Sequence, residues 1–544
     1  MPPLYHGDEK LELEQDKSLF DYADHLSVRV PTSCGRTGEC HECIVEVRRG
    51  VGALSPQTEA ERFLLNENYR LACQARIADP DADVEFTVLR RQPRILTRTV
   101  RREVPLDPLV RRVGDDVYYG DTRLDQYRGH IYGLAIDLGT TTVVMNLVDL
   151  ESGEVVHTGG FENPQRFGGS DTMHRISYDT GEFHGELQQV TLSQINFEIG
   201  EVVRRYGIRR RHIYEAVVVG NATMRDIFFG LDVHTIGEKP YQSVTELEMR
   251  EGKREGTELS MLARDLDLRI FPDARVYGGP IIGSHVGADI AADLLAVGID
   301  EEDDVVMLVD VGTNTEVVVG NRYRLLAASC PAGPAFEGGQ IRFGMPGYEG
   351  AIENVRITGN GDVEWETIGG TPPEGICGSG LVDILAELRR TGVINELGVF
   401  ADGSNEFSVV PERGITFSRA DMSALAQAKA ANYCGQWIVL RTYGAPLEQV
   451  SRLYMAGGFA NYVDVKNAVD IGFLANLPPE KVSRVGNASL EGASIMLMSA
   501  TKRREMEKLA RSIEHIELET TPDFFDLFVE GCQFKPMKTD IALA

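Results

Sequence analysis

A duplicated hairpin motif constrains the fold of this chain more than any other feature. The sequence spells AIDLGTTTVV around Asp137 and LVDVGTNTEV around Asp310. In both copies an apolar strand ends at an aspartate, a glycine makes the turn, and threonines lead into the next strand. No motif recurs at a period of about 20–50 residues, so the duplication predicts two related lobes and not a solenoid.

The chemistry of the two hairpins suits a phosphate ligand. Backbone N–H groups and hydroxyls at such a turn can donate to phosphate oxygens, and a carboxylate at the strand end can hold Mg²⁺ through water. We predict that Asp137 positions the metal and that Asp310 orients the metal or the attacking water. The alternative, that either carboxylate only braces its own turn, stays open. The predicted ATP-binding residues of the hairpins are Gly139, Thr140, Thr141, Thr142, Gly312, Thr313 and Thr315.

Two later glycine-rich segments are further candidates for nucleotide binding. MAGGFAN sets Gly457 and Gly458 after a strand, where the backbone can pass against a nucleotide. GICGSGLVDIL runs from a glycine-rich turn into a helix, whose N-terminus near Gly378 and Ser379 could face an anion. A helix cap on Ser379 explains that turn equally well.

Four cysteines crowd the N-terminal region in the pattern C-x5-C-x2-C followed by a distant fourth. A [2Fe–2S] cluster needs four thiolates, and Gly35 and Gly38 let the loop curl closely. Structural zinc usually takes two C-x-x-C pairs, disulfides conflict with a cytosolic chain, and core thiols would not gather in a polar loop. The pattern therefore favours the cluster. The predicted ligands are Cys34, Cys40, Cys43 and Cys73.

Bulk composition bounds the remaining possibilities. The 544 residues, 42% of them hydrophobic and 25% charged, indicate a globular chain of about two to four domains. A formal net charge of −28 argues against nucleic-acid binding, which needs a basic surface. The polar N-terminus shows no signal peptide, and no apolar run approaches the ~18 residues that span a bilayer. We therefore predict a cytoplasmic protein without membrane contact.

Shifts in composition divide the chain into three parts, which together predict an α/β multidomain fold. Residues 1–92 alternate apolar and polar residues and predict a β-grasp ferredoxin-like [2Fe–2S] domain. Residues 93–129 are rich in arginine and proline and predict an extended linker. Residues 130–544 alternate strands and helices and predict the two-lobed ATPase domain. Within it, Ser418 and Asp421 have the spacing of a capping box before a long helix.

The nucleotide-binding elements, in this order, resemble those of the acetate and sugar kinase/Hsp70/actin superfamily, in which two ribonuclease-H-like lobes close over ATP. With the N-terminal [2Fe–2S] domain included, the chain is similar to the ATP-dependent reductive activators of corrinoid proteins. The resemblance covers nearly the whole chain and is carried by SCGRTGECHEC, AIDLGTTTVV, VVVGNATM, VDVGTNTEV, CPAGPAFEGG, ICGSGLVD and MAGGFAN.

That resemblance implies a function, cofactors and partners. Such activators pass one electron from an iron–sulfur cluster to inactive cob(II)alamin, return it to cob(I)alamin, and use ATP to drive the cycle. The expected cofactors are a [2Fe–2S] cluster, ATP and Mg²⁺, and the expected partner is a corrinoid protein or cobalamin-dependent methyltransferase. No G-x-G-x-x-G follows a strand and opens a helix, so we expect an external low-potential electron donor. A homodimer is left open.

Three other functions stay open. The first is a small-molecule kinase with a fused redox domain, whose ATP turnover would rise with a sugar or an acid. The second is an activator of another low-potential metalloenzyme, although such relatives hold a [4Fe–4S] cluster at a dimer interface. The third is a scaffold in which the nucleotide only fixes shape.

One further segment is a candidate for the contact with the corrinoid. Residues 327–344, AASCPAGPAFEGGQIRFG, follow the second hairpin by a short strand and predict a long irregular loop. Loops on rigid scaffolds often carry function. We expect this loop to face the corrinoid, with the Ser329 hydroxyl close to the cobalt; an ordinary loop between the lobes is the alternative.

The cysteine assignment predicts a visible chromophore. The protein purified without oxygen should be red-brown and hold about two irons per chain with inorganic sulfide. Cys73→Ala should remove most of the visible absorbance, because Cys73 is the distant ligand that closes the cage. Absorption spectra with iron, sulfide and zinc analysis test this, and stoichiometric zinc without sulfide would contradict it.

Overall fold

Five short strands and one helix form the N-terminal domain. The computed structural model describes residues 3–6, 9–88, 101–458 and 460–539 of the chain. The elements of the domain are β1 (Pro3–His6), β2 (Glu9–Glu12), α1 (Leu19–His25), β3 (Ile44–Arg49), β4 (Tyr69–Leu71) and β5 (Val84–Val88). The strand order is β2-β1-β5-β3-β4, with β1 parallel to β5 and the other neighbours antiparallel. This topology confirms the predicted β-grasp domain.

Residues 101–129 are not the extended linker that their composition predicts. Three antiparallel strands lie there, β6 (Val110–Val113), β7 (Asp116–Tyr119) and β8 (Thr122–Gln126). Gly114 and Gly120, with φ of 64° and 56°, make the turns between them, and Val117 is buried. The prediction was wrong because the arginines obscured short alternating strands separated by glycine turns. Residues 93–100 of the predicted linker lie outside the described residues.

Side chains just before these three strands fix residues 101–129, here called the connector, to the rest of the molecule. The Asp107 carboxylate accepts a hydrogen bond from the Thr501 hydroxyl at 2.6 Å. Arg102 pairs with Asp300 at 2.6 Å, and both side chains are largely buried. The connector is therefore held by one residue from the middle of the following domain, Asp300, and by one from its C-terminal part, Thr501.

The first lobe is built on a six-stranded mixed sheet. Its strands are β9 (Tyr132–Leu138), β10 (Thr142–Asp149), β11 (Val155–Glu162), β12 (Ile213–Val219), β13 (Leu259–Leu262) and β14 (Arg275–Gly278). Its helices are α2 (Thr172–Asp179), α3 (Glu186–Tyr206), α4 (Ala222–Phe228), α5 (His234–Gly237), α6 (Val244–Arg250) and α7 (Ala288–Val297). The central strands are buried on both faces, which explains their continuous apolar sequences.

The remaining residues form the second lobe and return to the first. The strands are β15 (Val306–Val311), β16 (Thr315–Asn321), β17 (Arg324–Cys330), β18 (Ala351–Ile357), β19 (Val363–Thr367), β20 (Gly375–Ile376), β21 (Glu406–Val410), β22 (Ile415–Ser418), β23 (Arg452–Ala456), β24 (Val482–Gly486) and β25 (Glu514–His515). The helices are α8 (Gly378–Arg390), α9 (Arg419–Tyr443), α10 (Val465–Asp470), α11 (Ala488–Met498), α12 (Ala500–Ala510) and α13 (Phe524–Gly531). Helix α9 begins with the predicted capping box of Ser418 and Asp421.

The two large sheets repeat one topology. The first runs β11-β10-β9-β12-β14 and the second β17-β16-β15-β23-β24, each with three antiparallel strands followed by two parallel ones. In both, the strand that ends in the predicted aspartate is the middle one. The repeat confirms the two ribonuclease-H-like lobes that the duplicated hairpin predicts.

Helix α11 joins the second half of the chain to the first lobe by packing against α7. A Cβ atom on Gly492 would lie 2.0 Å from the carbonyl oxygen of Ala292, so only glycine permits this close crossing. The first lobe is consequently assembled from two distant parts of the sequence. Within the described ranges, none of the helices has the length and apolarity needed to cross a bilayer.

Candidate nucleotide cleft and cluster loop

The two hairpins face each other across a cleft between the lobes. Asp137 stands at the carboxyl end of β9 and Asp310 near that of β15, the edge at which α/β sheets bind ligands. The cleft encloses about 250 Å³. The predicted residues that line it are Asp137, Gly139, Thr140, Thr141, Thr142, Asp310, Gly312, Thr313, Gly378, Ser379, Gly457 and Gly458.

The hairpins bring hydroxyl groups from both lobes together. The N–H of Gly139 donates to the carbonyl of Thr142 at 3.1 Å and closes the first turn. Thr141 Oγ1 of the first hairpin lies 3.4 Å from Thr313 Oγ1 of the second. One phosphate group placed at this point would be within reach of donors from both lobes.

Gly457 passes directly behind the second hairpin. Its φ is 109°, and a Cβ there would lie 2.1 Å from the carbonyl oxygen of Val311 and 2.9 Å from Asp310 Oδ1. Any larger residue would displace the strand end that carries Asp310. This glycine is therefore required by the close approach of two backbones.

Further carboxyl groups that the sequence did not predict surround the two aspartates. Asp289, Glu316 and Glu337 line the cleft, and Asp293 is fully buried one turn further along α7. The sequence could have indicated two of these carboxyl groups. Asp289 and Asp293 are four residues apart in the apolar helix ADIAADLLAV and therefore lie on the same side of it. Charged residues at such positions are rarely buried without a partner.

Burial and mutual repulsion raise the pKa of these carboxyl groups. Burial raises the pKa of Asp137 to about 6. Burial, then the charge of Asp137, raises the pKa of Asp310 to about 7. Burial, then the charges of Asp310 and Asp137, raises the pKa of Asp289 to about 8. Carboxyl groups this close keep their protons unless a cation compensates the charge.

The donor set fits a hydrated Mg²⁺ ion. Three carboxyl groups, those of Asp137, Asp289 and Asp310, line the cleft, and carboxylate oxygens are the ligands that Mg²⁺ prefers. Over the described ranges, no three Asp, Glu, His or Cys side chains converge on one metal position. Asp137, Asp310 and Asp289 would therefore hold the ion largely through its water shell, with phosphate oxygens as further ligands.

Thr315 does not line the cleft, unlike the other predicted hairpin residues. It begins β16, pairs with Cys330 of β17, and is 1% exposed. Its neighbour Glu316 lines the cleft instead, because successive residues of a strand point to opposite faces. The sequence motif alone does not show which of the two faces the ligand.

Helix α8 presents its N-terminus to the cleft. Cys377 is the N-cap residue, and the Ser379 hydroxyl lies inside the helix, where it donates to the carbonyl of Glu353 at 2.9 Å. The explanation of Ser379 as a helix cap is therefore wrong. Gly378 and Ser379 both line the cleft, in the position expected of residues that face an anion.

Ser329 lies on strand β17 and not on a loop. The predicted loop over 327–344 is wrong for its first four residues, because β17 continues to Cys330 and pairs with β16 on one side and β25 on the other. The half-buried Ser329 hydroxyl donates to Glu316 Oε1 at 2.9 Å from the neighbouring strand. Ser329 is therefore connected to the cleft through Glu316, which lines it.

The cysteine loop curls as its glycines predict and gathers two pairs of thiols. Gly35 and Gly38 have φ of 69° and 92°, in the left-handed region that favours glycine. Cys43 Sγ lies 3.4 Å from Cys73 Sγ, close to the about 3.8 Å that separates two thiolates bonded at about 2.3 Å to one tetrahedral ion. The other pair, Cys34 and Cys40, is joined by a thiol hydrogen bond. All eight cysteines are free thiols in the structure.

The surroundings favour the thiolate, the form that binds iron, at Cys34 and Cys73, whereas the hydrogen bond with Cys73 and burial raise the pKa of Cys43 well above its usual range. Burial opposes ionisation of Cys34, but hydrogen bonds from the hydroxyl of Thr37, from the thiol and N–H of Cys40 and from the N–H of Gly38 lower its pKa to about 5. A hydrogen bond from the Cys43 thiol lowers the pKa of Cys73 to about 7. Two thiol pairs in such a loop fit a cluster whose two irons each take two cysteines.

The cluster loop rests on the first lobe. His41, between two of the cysteines, places Nδ1 2.9 Å from Glu186 Oε2 at the start of α3, and its ring stacks on Phe63 at 4.2 Å. The buried Tyr178 hydroxyl of α2 donates to the carbonyl of Phe63 at 2.6 Å. These contacts join the N-terminal domain to the lobe that carries Asp137.

Hydrogen bonds continue from that contact to the first hairpin. The buried Arg175 side chain donates to the carbonyl of Thr140 at 2.6 Å and to Gln165 Oε1 at 3.2 Å. Gln165 Nε2 in turn donates to the carbonyl of Leu187, the second residue of α3, at 3.2 Å. A shift of the first hairpin would therefore be transmitted to the start of α3, which contacts the cluster loop.

Three models of known families match the chain. A model of the 2Fe-2S iron-sulfur cluster binding domain matches residues 6–78. A model of the RACo middle region matches residues 132–302, and a model of the C-terminal domain of RACo, the ASKHA domain, matches residues 304–542. The first of these favours the [2Fe–2S] cluster over structural zinc.

Individual proteins are similar over most of the chain. The corrinoid activation enzyme RamQ of Eubacterium limosum is 28% identical over an alignment of 613 positions, covering 97% of this chain and 98% of RamQ. The [Co(II) methylated amine-specific corrinoid protein] reductase of Methanosarcina barkeri is 24% identical, covering 73% and 76%. A solved structure of a reductive activator for corrinoid,iron-sulfur protein is 29% identical, covers 100% and 99%, and superposes with a TM-score of 0.73.

The raised pKa values predict how stability depends on pH. The unfolded carboxyl groups ionise near about pH 4, whereas Asp289 and Asp310 stay protonated in the folded protein up to about 8 and 7. The folded state binds more protons between these values, so these groups lower the free energy of unfolding as pH rises from about 4 to 8. Asp289→Asn should therefore stabilise the metal-free protein by an amount that grows over this interval.

Thermal unfolding in EDTA, at several pH values, measures this difference. Asp273→Asn is the matched control, because the Asp273 carboxylate lies outside the cleft, where it is about half exposed and pairs with Arg264. If the free energies of unfolding of Asp289→Asn and wild type differ by the same amount at every pH, the raised pKa of Asp289 would be contradicted.

Proposed function

Because the chain belongs to the RACo family, whose middle and C-terminal models together match residues 132–302 and 304–542, we propose that it is an ATP-dependent reductive activator of a corrinoid protein. It hydrolyses ATP in the cleft and delivers one electron, through the N-terminal cluster, to cob(II)alamin on the partner. The metal gains that electron and becomes cob(I)alamin. The partner is a corrinoid protein or a cobalamin-dependent methyltransferase.

The observation that carries this proposal is the contact between the cluster loop and the first lobe. His41 lies beside two cluster cysteines and meets Glu186 on the lobe that holds Asp137. A small-molecule kinase would have no need of a redox centre in contact with its nucleotide lobe. The arrangement supports a function in which the state of the nucleotide affects electron transfer.

We propose that the hairpins bind the phosphates of ATP. The N–H groups of the turns and the hydroxyls of Thr141 and Thr313 donate to phosphate oxygens, and the N-terminus of α8 faces the same cleft. Asp137 positions the metal, and Asp310 orients the metal or the attacking water. When bound, Mg²⁺ neutralises phosphate charge.

The four cysteines hold the [2Fe–2S] cluster, which supplies one-electron transfer at low potential. The described part of the lobes shows no sequence motif for a second redox cofactor. The electron therefore comes from an external low-potential donor. We also propose a cytoplasmic location, because the cytosol keeps such cysteines reduced until they bind iron.

The function is tested by mixing the reduced protein with a cob(II)alamin-bearing partner and Mg²⁺–ATP. Cob(I)alamin should form, as detected by its visible absorption spectrum. It should not form when ATP is left out. Asp310→Asn is nearly isosteric, so it should fold and lose at least about tenfold in ATP turnover, or about 1.4 kcal/mol of transition-state stabilisation. Cob(I)alamin formation should fall with it.

Matched variants separate the alternatives. Asp273→Asn makes the same chemical change on the surface and should leave both rates unchanged. ATP turnover that rises with a sugar or an acid, and not with the corrinoid partner, would support the kinase instead. Unchanged turnover in folded Asp310→Asn would refute the role of Asp310.

We keep Ser329 as the proposed corrinoid-facing residue. Its hydroxyl donates to Glu316, so contact with the cobalt requires that bond to be exchanged when the partner docks. Wild type should shift the visible bands of a cob(II)alamin-bearing partner, and Ser329→Ala should not. Equal shifts would show that Ser329 is not at the cobalt. Ser408→Ala, a change on an exposed strand, is the control.

A further inference from the structure

Glu337 fills the gap between the two phosphate hairpins. Its Oε2 atom accepts a hydrogen bond from Thr141 Oγ1 of the first hairpin at 3.0 Å and another from Thr313 Oγ1 of the second. One carboxylate oxygen thus takes both of the hydroxyl donors that meet in the middle of the cleft.

This carboxylate has the chemistry of the ligand that the hairpins are built to hold. A carboxylate oxygen and a phosphate oxygen are both anionic acceptors of hydroxyl and N–H donors. Glu337 also lies near enough to Asp310 that its charge raises the pKa of Asp310. A phosphate group and the Glu337 carboxylate could not share this position, because both carry negative charge and need the same donors.

From this we propose that Glu337 is an internal plug of the phosphate site. It holds the two hairpins together in the nucleotide-free protein, and the terminal phosphates of ATP displace it. The inference rests on the proposed binding of ATP in this cleft and adds a carboxylate that competes with the nucleotide. It also explains why the cleft encloses only about 250 Å³, less than the about 300–1,000 Å³ of typical ligand pockets.

The segment that carries Glu337 is constructed so that it can move. A short helix, Pro334–Glu337, lies between Gly333 and Gly338, whose φ values of 78° and 89° favour glycine. A Cβ on Gly333 would meet nothing within 4 Å, whereas one on Gly338 would lie 2.4 Å from the backbone nitrogen of Met345, so the chain has room to turn at Gly333 and is held at Gly338. Beyond the helix, the N–H of Arg342 donates to Asp421 at 2.8 Å and anchors the segment to α9.

Displacement of the plug would reach the neighbouring strand. The short helix follows β17 after three residues, and Phe336 of the helix packs against Phe473 with ring centroids 4.8 Å apart. Movement of Glu337 would therefore pull on the three residues that connect the short helix to the end of β17, the strand that carries Ser329. In this way phosphate binding is converted into a change on the segment proposed to face the corrinoid.

The test compares the affinities of wild type and Glu337→Gln for Mg²⁺ with a non-hydrolysable ATP analogue, measured by calorimetry. The substitution keeps the shape and removes the competing charge, so the dissociation constant for the analogue should fall at least about tenfold. The affinity for adenosine, which has no phosphate, should not change. Glu349→Gln is the matched control, because Glu349 is exposed on the same segment and does not line the cleft.

The outcomes separate this inference from the proposed function. Equal or weaker binding of the analogue by Glu337→Gln, when wild type binds it, would overturn the plug alone. A large loss of ATP turnover with an unchanged dissociation constant would also overturn it, and would make Glu337 a catalytic residue. Failure of both proteins to bind the analogue would overturn the plug and the proposed ATP cleft together.

A second measurement covers the case in which the substitution perturbs folding. Hydrogen exchange of wild-type residues 334–339 should speed up at least about threefold when the ATP analogue binds, because the bonds from Gly338 N–H to Ala335 and from Gly339 N–H to Pro334 belong to the plugged form. Adenosine should leave the exchange unchanged. Slower or unchanged exchange with the ATP analogue would overturn the displacement of the plug.

Discussion

Carboxyl groups held together at the carboxyl ends of two central strands are the constraint on which the cleft depends. Each lobe places one aspartate there by its topology, and α7 adds Asp289 beside them. Their charges repel one another, so in the metal-free cleft these carboxyl groups keep protons that exposed carboxyl groups would release at the same pH. A hydrated cation and a phosphate would relieve this cost together, and this balance of charge supports the proposed binding of Mg²⁺–ATP between the lobes.

The same first lobe also carries the redox end of the molecule. His41 and Phe63 seat the cluster loop against α3 and α2, and buried Arg175 continues the contact to the carbonyl of Thr140. The position of the hairpin is therefore mechanically connected to the position of the cluster. An activator needs such a connection, because a thermodynamically uphill electron transfer has to depend on the state of the nucleotide.

Much of the fold and part of the site could be read from local sequence. The hairpins, the cysteine loop and the capping box at Ser418 each depend on a few adjacent residues, whose backbone preferences act over short distances. The connector strands were missed because their arginines resembled a solvated linker. Thr315 was misplaced because a motif names residues without saying which face of the strand each one takes.

Two related lobes, a cluster loop and two aspartates at strand ends follow from local sequence alone, because glycine turns, cysteine spacing and apolar strands are local signals. The packing of the folded chain was needed to show that Asp289 joins those aspartates, that Glu337 lies between Thr141 and Thr313, and that the cluster loop rests on α3. These contacts join residues far apart in the chain. Their geometry depends on how the lobes pack, and no local preference of the backbone specifies it.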